Sequence, residues 1–302
     1  MNRIFFLLWF GLATASSLYP QAPAPVAGTN AATHEVFVAC VPKEGRAAPL
    51  TLDSLSANDV KLTGVAPLGD RPFGYVWVTD ALGYHYGAHM LDCCTRPEVD
   101  RGSVILGVLG AEGYASNAKE VEEWAAKRLQ EAKGKPAPMH LLERDVLRAG
   151  IKKLDEISRG GPKIMFVSGS FTWGHSYGDA PIDSQFLEEL EHELLVRGVH
   201  MFVWDTRNMI RLELFGEKGF LNDPADASGG WLFLMRKNPD PYASGQIDEQ
   251  EKKLSRLFKS WYTVRVQTPP ATKKDVLLRW KLKTTAECKL AAPSAVVVPA
   301  KK

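Results

Sequence analysis

Gly174-His175-Ser176-Tyr177-Gly178 matches G-x-S-x-G, the sharpest case in this chain of residue types and spacing suited to nucleophilic catalysis. In an α/β-hydrolase that motif lies directly between a strand and a helix, and an acid and then a histidine follow it in the chain. Here the apolar run before it ends near Val167, and Pro181 separates Ser176 from the next helical pattern. The later histidines, His192 and His200, fall in the neighbouring helix and strand, too close in sequence to return over the sheet. A Gly-rich surface loop is the simpler reading. His85 and His89, four apart, lack the Glu of the zincin pattern His-Glu-x-x-His. Glu191-His192-Glu193 reads as the solvated side of an amphipathic helix. Asp205-Thr206-Arg207-Asn208 follows a strand directly, at the end of an open sheet where ligands gather, although a strand-terminating turn also accounts for it. The expectation is a chain without catalytic residues or a cofactor. The alternative is a secreted serine hydrolase using Ser176.

The elements that would carry these loops alternate. Tyr75 to Thr79, Val104 to Leu109, Ile164 to Val167, Val199 to Trp204 and Trp231 to Leu234 are short apolar runs with no polar alternation, as expected of strands covered on both faces. Between them lie helical patterns. Asn117 with Glu120 forms a capping signal ahead of Val121, Trp124, Ala125 and Leu129. Leu142 to Ile157 and Phe186 to Val196 carry apolar residues at helical spacing, and Gly198 stands where the second should stop. The pattern predicts an α/β fold with an open, mostly parallel sheet flanked by helices. The ends differ. His34 to Val41, a short strand within Leu50 to Leu62, Trp261 to Thr268 and Asp275 to Lys283 read as strands, the last two with antiparallel-type alternation, and are expected to pair as a small β-sandwich.

The chain begins with Arg3 near its start, an apolar run from Ile4 to Leu12 and a small-residue exit at Ala13-Thr14-Ala15, the three parts of a secretory signal. That run is shorter than the ~20 residues needed to span a bilayer. Residues 1–15 are therefore expected to be a signal peptide, and 16–33, rich in Pro and Ala, a solvated linker. The mature form is expected to have no transmembrane helix. With 37 basic and 35 acidic residues and no basic cluster interleaved with aromatics, nucleic acid is not an expected partner. The 4 cysteines, Cys40, Cys93, Cys94 and Cys288, permit disulfides in an oxidising compartment without fixing their pairing. Cys93 and Cys94 read either as a vicinal bridge or as two buried thiols. Cys40 and Cys288 would both lie in the β-sandwich, where a bridge would close it.

Four stretches, taken in order, resemble the secreted VWFA-related domain family of acidobacterial type, relatives of the von Willebrand factor type A domain. They are Ser54 to Val60 (SLSANDV), Tyr75 to Gly83 (YVWVTDALG), Lys163 to Phe171 (KIMFVSGSF) and Ala227-Ser228-Gly229-Gly230. The resemblance implies a Rossmann-like sheet over 71–259 and a β-sandwich built from 34–70 and 260–302. In a functional type A domain, to which this family is related, a divalent cation is held by Asp-x-Ser-x-Ser after the first sheet strand, a Thr from a neighbouring loop and an Asp after the fourth strand. The first motif here is Asp80-Ala81-Leu82-Gly83-Tyr84, and the later Asp position is Gly169, between Ser168 and Ser170. Asp80 with Ser168 and Ser170 makes a poor cage for Mg²⁺, a hard cation that needs several oxygen ligands. The site is therefore expected to be degenerate. The resemblance implies an exported binding module, periplasmic or secreted, for an unknown extracytoplasmic protein or envelope component. The loops Ala81 to Gly87, Ser168 to Asp179 and Thr206 to Ile210 would face that partner. Tyr84, Tyr86, Phe171, Trp173, Tyr177 and Arg207 are its candidate contact residues, since aromatic and Arg side chains are enriched at binding hot spots. A cation-dependent adhesin using Asp80 is a further alternative.

Overall fold

The computed structural model describes residues 32–43, 49–79, 104–108, 114–115, 119–120, 123, 126–127, 130, 144–169, 184–205, 221–234, 246–270, 273–298 and 300. The described chain runs through β1 (Ala32–Pro42), β2 (Leu55–Ala57), β3 (Lys61–Pro67), β4 (Gly74–Thr79), β5 (Val104–Val108) and β6 (Tyr114–Ala115). It continues through α1 (Arg144–Ile157), β7 (Lys163–Gly169), α2 (Ser184–Arg197), β8 (Val199–Asp205), α3 (Asn222–Ala227), β9 (Leu232–Leu234) and α4 (Gln246–Phe258). It closes with β10 (Trp261–Thr268), β11 (Val276–Arg279), β12 (Leu282–Thr284), β13 (Cys288–Ala291) and β14 (Ala295–Val298). The fold is mixed α/β, with separate parallel and antiparallel sheets.

The larger sheet has the order β6-β5-β4-β7-β8-β9. Its neighbours are parallel except the short edge strand β6, which runs antiparallel to β5. Numbered within the sheet alone this is 3-2-1-4-5-6, the doubly wound order, and the direction of winding reverses between β4 and β7. The apolar runs carry no polar alternation because both faces are buried. On one face Val76, Val78, Met165, Val167, Met201 and Val203 pack with Leu147, Ile151 and Leu154 of α1 and Phe186, Leu190 and Leu194 of α2. Tyr75, Trp77, Ile164, Phe166 and Phe202 are also buried. Phe258 of α4 lies 5.7 Å from Tyr75 and 5.6 Å from Phe73. Burying each of these large side chains contributes about 1.5–3 kcal/mol.

Local chemistry sets the helix limits. Leu147, Ile151 and Leu154 follow helical spacing, and Gly150 between them lets the helix approach the sheet, where an added Cβ would stand 3.0 Å from Val78. In α2 the buried residues Phe186, Leu190, Leu194 and Leu195 form the apolar stripe. The helix stops at Gly198, whose φ of 63° is the left-handed cap that glycine adopts without strain.

The two ends of the described chain meet. β1 pairs antiparallel with β10 from Ala32↔Thr268 to Ala39↔Trp261, and a four-stranded sheet β13-β1-β10-β3 results. Two two-stranded sheets, β11-β14 and β12-β2, share a core with it that includes Val38, Val264, Val266, Trp280 and Val296. Cys40 and Cys288 form a disulfide there, with Cα atoms 5.3 Å apart. Two sequence expectations need correction. The stretch given to a linker up to residue 33 gives way to β1 at Ala32, because Ala32 and Thr33 find backbone partners in Thr268 and Gln267. Asp275 to Lys283 is not one strand. Trp280 donates its backbone N–H to Ser294 and its indole Nε1–H to Pro293, while Lys281 donates its N–H to Asn58 Oδ1. The chain therefore leaves one partner strand, β14, for another, β2.

Candidate functional site

In an open, doubly wound sheet, ligands bind beyond the carboxyl ends of the strands, at the point where the strand order reverses. Here that point lies between β4 and β7, which pair from Gly74↔Lys163 to Thr79↔Ser168. β7 and β8 end on the pair Gly169↔Asp205, and β8 continues to β9 through Asp205↔Leu234. Parallel register thus places Thr79 beside Ser168, and Gly169 beside Asp205 in the next row, along the carboxyl edge. Asp205 occupies the position beside Gly169, where the sequence lacks the carboxylate expected after the fourth strand.

Of the residues singled out from sequence, Ser168 takes its place at this edge, on β7. Asp80, Tyr84, Tyr86, Ser170, Phe171, Trp173, Tyr177 and Arg207 lie outside the described residues, as do His85, His89, Cys93, Cys94 and Ser176. Among the described residues no group of three or more His, Cys, Asp or Glu is placed to hold a metal ion. Among the described residues, β7 runs to Gly169 and α2 starts at Ser184, on either side of Ser176 in the sequence.

The elements at this edge are fixed by contacts away from it. The buried Ser228 Oγ donates to the Ala225 carbonyl at 2.8 Å and accepts the Met201 N–H at 3.0 Å, tying the end of α3 to β8. Gly229 has φ 81°, and a Cβ there would stand 2.6 Å from the Ala292 backbone. A Cβ on Gly230 would overlap the Met201 carbonyl. The Ser-Gly-Gly sequence before β9 is therefore required by two backbone approaches and one hydrogen-bonded bridge.

No family model matches this chain. No curated protein matches it either.

The opposite, amino edge is held by charge. Lys163 Nζ donates to Asp155 Oδ1 at 2.6 Å and to the Arg197 carbonyl at 2.9 Å, and Arg197 also pairs with Asp155. Burial alone would raise the Asp155 carboxyl, but the hydrogen bonds and charges of Lys163 and Arg197 outweigh it and hold the group below the usual carboxylate range. On the first strand, Glu35 accepts from Arg71 at 2.8 Å and from Arg265 at 3.3 Å. The α2 segment read as a solvated face is partly engaged. Glu191 pairs with Arg279 of β11 at 2.8 Å and Glu193 with Arg197 at 3.2 Å, while His192 is exposed.

Sequence reasoning passed over His200 except as a failed triad member. It is 2% exposed, and its ring lies edge-on to Trp261, 4.7 Å between centroids. Burial drives its pKa down to about 4, against a smaller opposing effect of hydrogen bonds to the Gly229 and Ser228 backbone. The available signal was a lone imidazole inside an otherwise apolar strand, VHMFVW.

Proposed function

We propose that this chain is an exported, non-catalytic binding module, related to the von Willebrand factor type A domain, that holds an extracytoplasmic protein or envelope component through the loops at the carboxyl edge of its parallel sheet. The observation that carries this reading is the sheet order. The reversal falls between β4 and β7, so the chain segments that follow Thr79 and Gly169 leave adjacent strands at the edge where such folds bind ligands. Their composition, with Tyr84, Tyr86, Phe171, Trp173 and Tyr177, suits a protein contact better than a small polar substrate. Export follows from the N-terminal secretory pattern, and the disulfide agrees with an oxidising compartment. Among the described residues no helix is long and apolar enough to cross a membrane.

The test uses three versions of the mature protein as bait on the envelope fraction of the producing cell. These are wild type, a Tyr84→Ser/Tyr86→Ser/Trp173→Ser variant, and Lys152→Glu, which changes an exposed residue on α1. A component retained by wild type and Lys152→Glu and lost with the triple variant supports the reading. Equal retention by all three rejects it.

A cation-dependent version has one specific observation in its favour, since Asp205 stands beside Gly169 in the sheet register. It predicts a higher melting midpoint in millimolar Mg²⁺ than in EDTA, because an ion that binds only the folded state stabilises it. The degenerate-site reading predicts no change. The hydrolase alternative predicts fluorophosphonate labelling that Ser176→Ala abolishes, whereas the binding-module reading predicts no labelling.

A further inference from the structure

At the amino edge of the parallel sheet, remote from the loops discussed above, the terminal strands do not close fully on the α/β body. A cleft of about 440 Å³ is lined by His34 to Phe37 of β1, by Ala295 to Val297 of β14 and by the α1–β7 and α2–β8 turns. β1 has two edges, and hydrogen bonds fix which residues serve each. Cys40 donates its N–H to the Ser260 carbonyl on the β10 side, and Lys43 donates its N–H to the Glu287 carbonyl on the β13 side. Alternation along the strand therefore turns the backbone groups of even-numbered residues of β1 towards β10 and those of odd-numbered residues towards β13. β13 reaches only from Ala39 to Pro42. Beyond Ala291 its chain leaves β1, and Ser294 donates its N–H to the Ala227 carbonyl instead.

The backbone N–H and C=O groups of Thr33, Glu35 and Phe37 are left along an open edge, where they find no partner among the described residues. Glu35 and Phe37 line the cleft. Across it, Trp280 donates to the Ser294 carbonyl, so β14 directs alternate residues from Ser294 to Val298 at β11 and turns the backbone of Ala295 and Val297 the other way. β1 and β14 do not pair with each other. An unpaired strand edge is a template for one more strand. A strand residue occupies on the order of 150 Å³, from its rise, the strand spacing and the sheet separation. The cleft therefore takes one short extended stretch and not the edge of a second folded sheet. The chain before Ala32 suits it poorly, because Pro20, Pro23 and Pro25 lack the N–H that a ladder needs. The charged residues of the lining are already paired, Lys163 and Arg197 with Asp155, and Glu35 with Arg71 and Arg265. An uncharged stretch complements them, since a buried charge would stand unpaired, and the walls at Val36, Leu194, Val199 and Val297 favour aliphatic side chains.

We infer that this cleft receives an extended, uncharged segment with β-branched side chains from another protein, which adds as a strand along Thr33 to Phe37 and bonds the backbone of Glu35 and Phe37. This surface is separate from the carboxyl-edge loops and does not depend on the function proposed for them. The test follows amide exchange of the mature protein at pH 7 with and without millimolar acetyl-Ser-Thr-Val-Thr-Val-Ser-amide. The same peptide N-methylated at both valines keeps the side chains and loses two backbone donors. Without peptide, the Glu35 and Phe37 amides should exchange at least about tenfold faster than those of His34 and Val36, which face β10. The unmodified peptide should slow Glu35 and Phe37 by a similar factor, and the N-methylated one should not. Glu35→Pro removes an N–H that β10 does not use, so the variant, checked for folding by its melting curve, should lose peptide binding. Glu35→Ala, which lacks the carboxylate but keeps the N–H, should retain it. Slow exchange of Glu35 and Phe37 without peptide would overturn the inference, assigning the edge to a second copy if it depends on protein concentration and to the chain's own residues if it does not. No slowing by the peptide, equal slowing by its N-methylated form, or undiminished binding in folded Glu35→Pro would each overturn it as well.

Discussion

His200 lies in β8 with its ring against Trp261 and only 2% exposed, and its folded pKa is near 4 against 6.5 for the free side chain. The folded state therefore binds fewer protons here than the unfolded chain. Its contribution is fully present above pH 6.5 and is lost as pH falls from 6.5 towards 4. The full difference corresponds to about 3 kcal/mol. The Asp155 and Glu35 carboxyls, both held below their ordinary values, begin to lose their contributions as pH falls through the ordinary carboxylate range, and they do so alike in wild type and His200→Phe, so the comparison of the two isolates His200. Urea unfolding at pH 7 and pH 4.5 should show wild type losing about 2–3 kcal/mol and His200→Phe losing much less. Equal losses would remove His200 as the cause. A second residue-scale expectation concerns two glycines. Gly198 has φ 63° with open space around it, so Gly198→Ala should cost about 1 kcal/mol through the backbone alone. Gly230→Ala must displace the Met201 carbonyl from the strand that carries His200, and roughly 3 kcal/mol or more is expected. A Gly230→Ala midpoint as close to wild type as that of Gly198→Ala would contradict the close approach.

At the scale of elements, Asp155 holds three of them together: it sits on α1, Lys163 opens β7 and Arg197 ends α2. Its side chain is 34% exposed, so solvent screening reduces what the Coulomb geometry alone would suggest. Asp155→Asn should cost about 1 kcal/mol at pH 7. The difference from wild type should fade as the pH drops below the ordinary Asp value, where the native carboxylate must be protonated. A gap that persists unchanged at pH 2.5 would mean that packing, not charge, is responsible. These elements were also the legible ones. β7 and β8 are uninterrupted apolar runs, and α2 carries apolar residues at helical spacing with a stop at Gly198, so each is legible in the sequence to within a few residues. β13 and β14 span only four residues each, too short for alternation to register, and the two-residue β6 is shorter still. The single strand expected over Asp275 to Lys283 failed because its change of partner at Trp280 depends on Ser294, Pro293 and Asn58, which no local pattern reveals. The carboxyl edge could be anticipated, because strand ends and parallel order imply it. A cleft of about 440 Å³ at the opposite edge could not, since its walls come from β1, β14 and the α1–β7 and α2–β8 turns, which are distant in sequence.

At the scale of the whole molecule, the α/β body is inserted between two chain segments that must find each other. β10 pairs with β1 from Ala32 to Ala39 across the whole of β2 to α4 in sequence, and the closure entropy of so long a loop opposes that pairing. The Cys40–Cys288 disulfide joins the same two segments across a sequence separation of 248 residues and lies next to the β1–β13 register. A cross-link that closes so long a loop removes a large share of the unfolded chain's freedom, and about 3–5 kcal/mol of stabilisation is expected. Because the bond is within the terminal strands, its loss should not fall evenly. Cys40→Ala/Cys288→Ala should unfold at a lower urea midpoint, and its β1, β10 and β13 amides should exchange faster, while β7 and β8, packed on one face against α1 and α2, keep most of their protection. The measurement is hydrogen exchange of wild type and the double variant under identical conditions, with the oxidised bond first verified by intact mass before and after reduction and alkylation. Uniformly faster exchange through both sheets would show that the ends and the body form one cooperative unit. Unchanged exchange in β1 and β10 would show that strand pairing alone, without the covalent link, holds the two ends together.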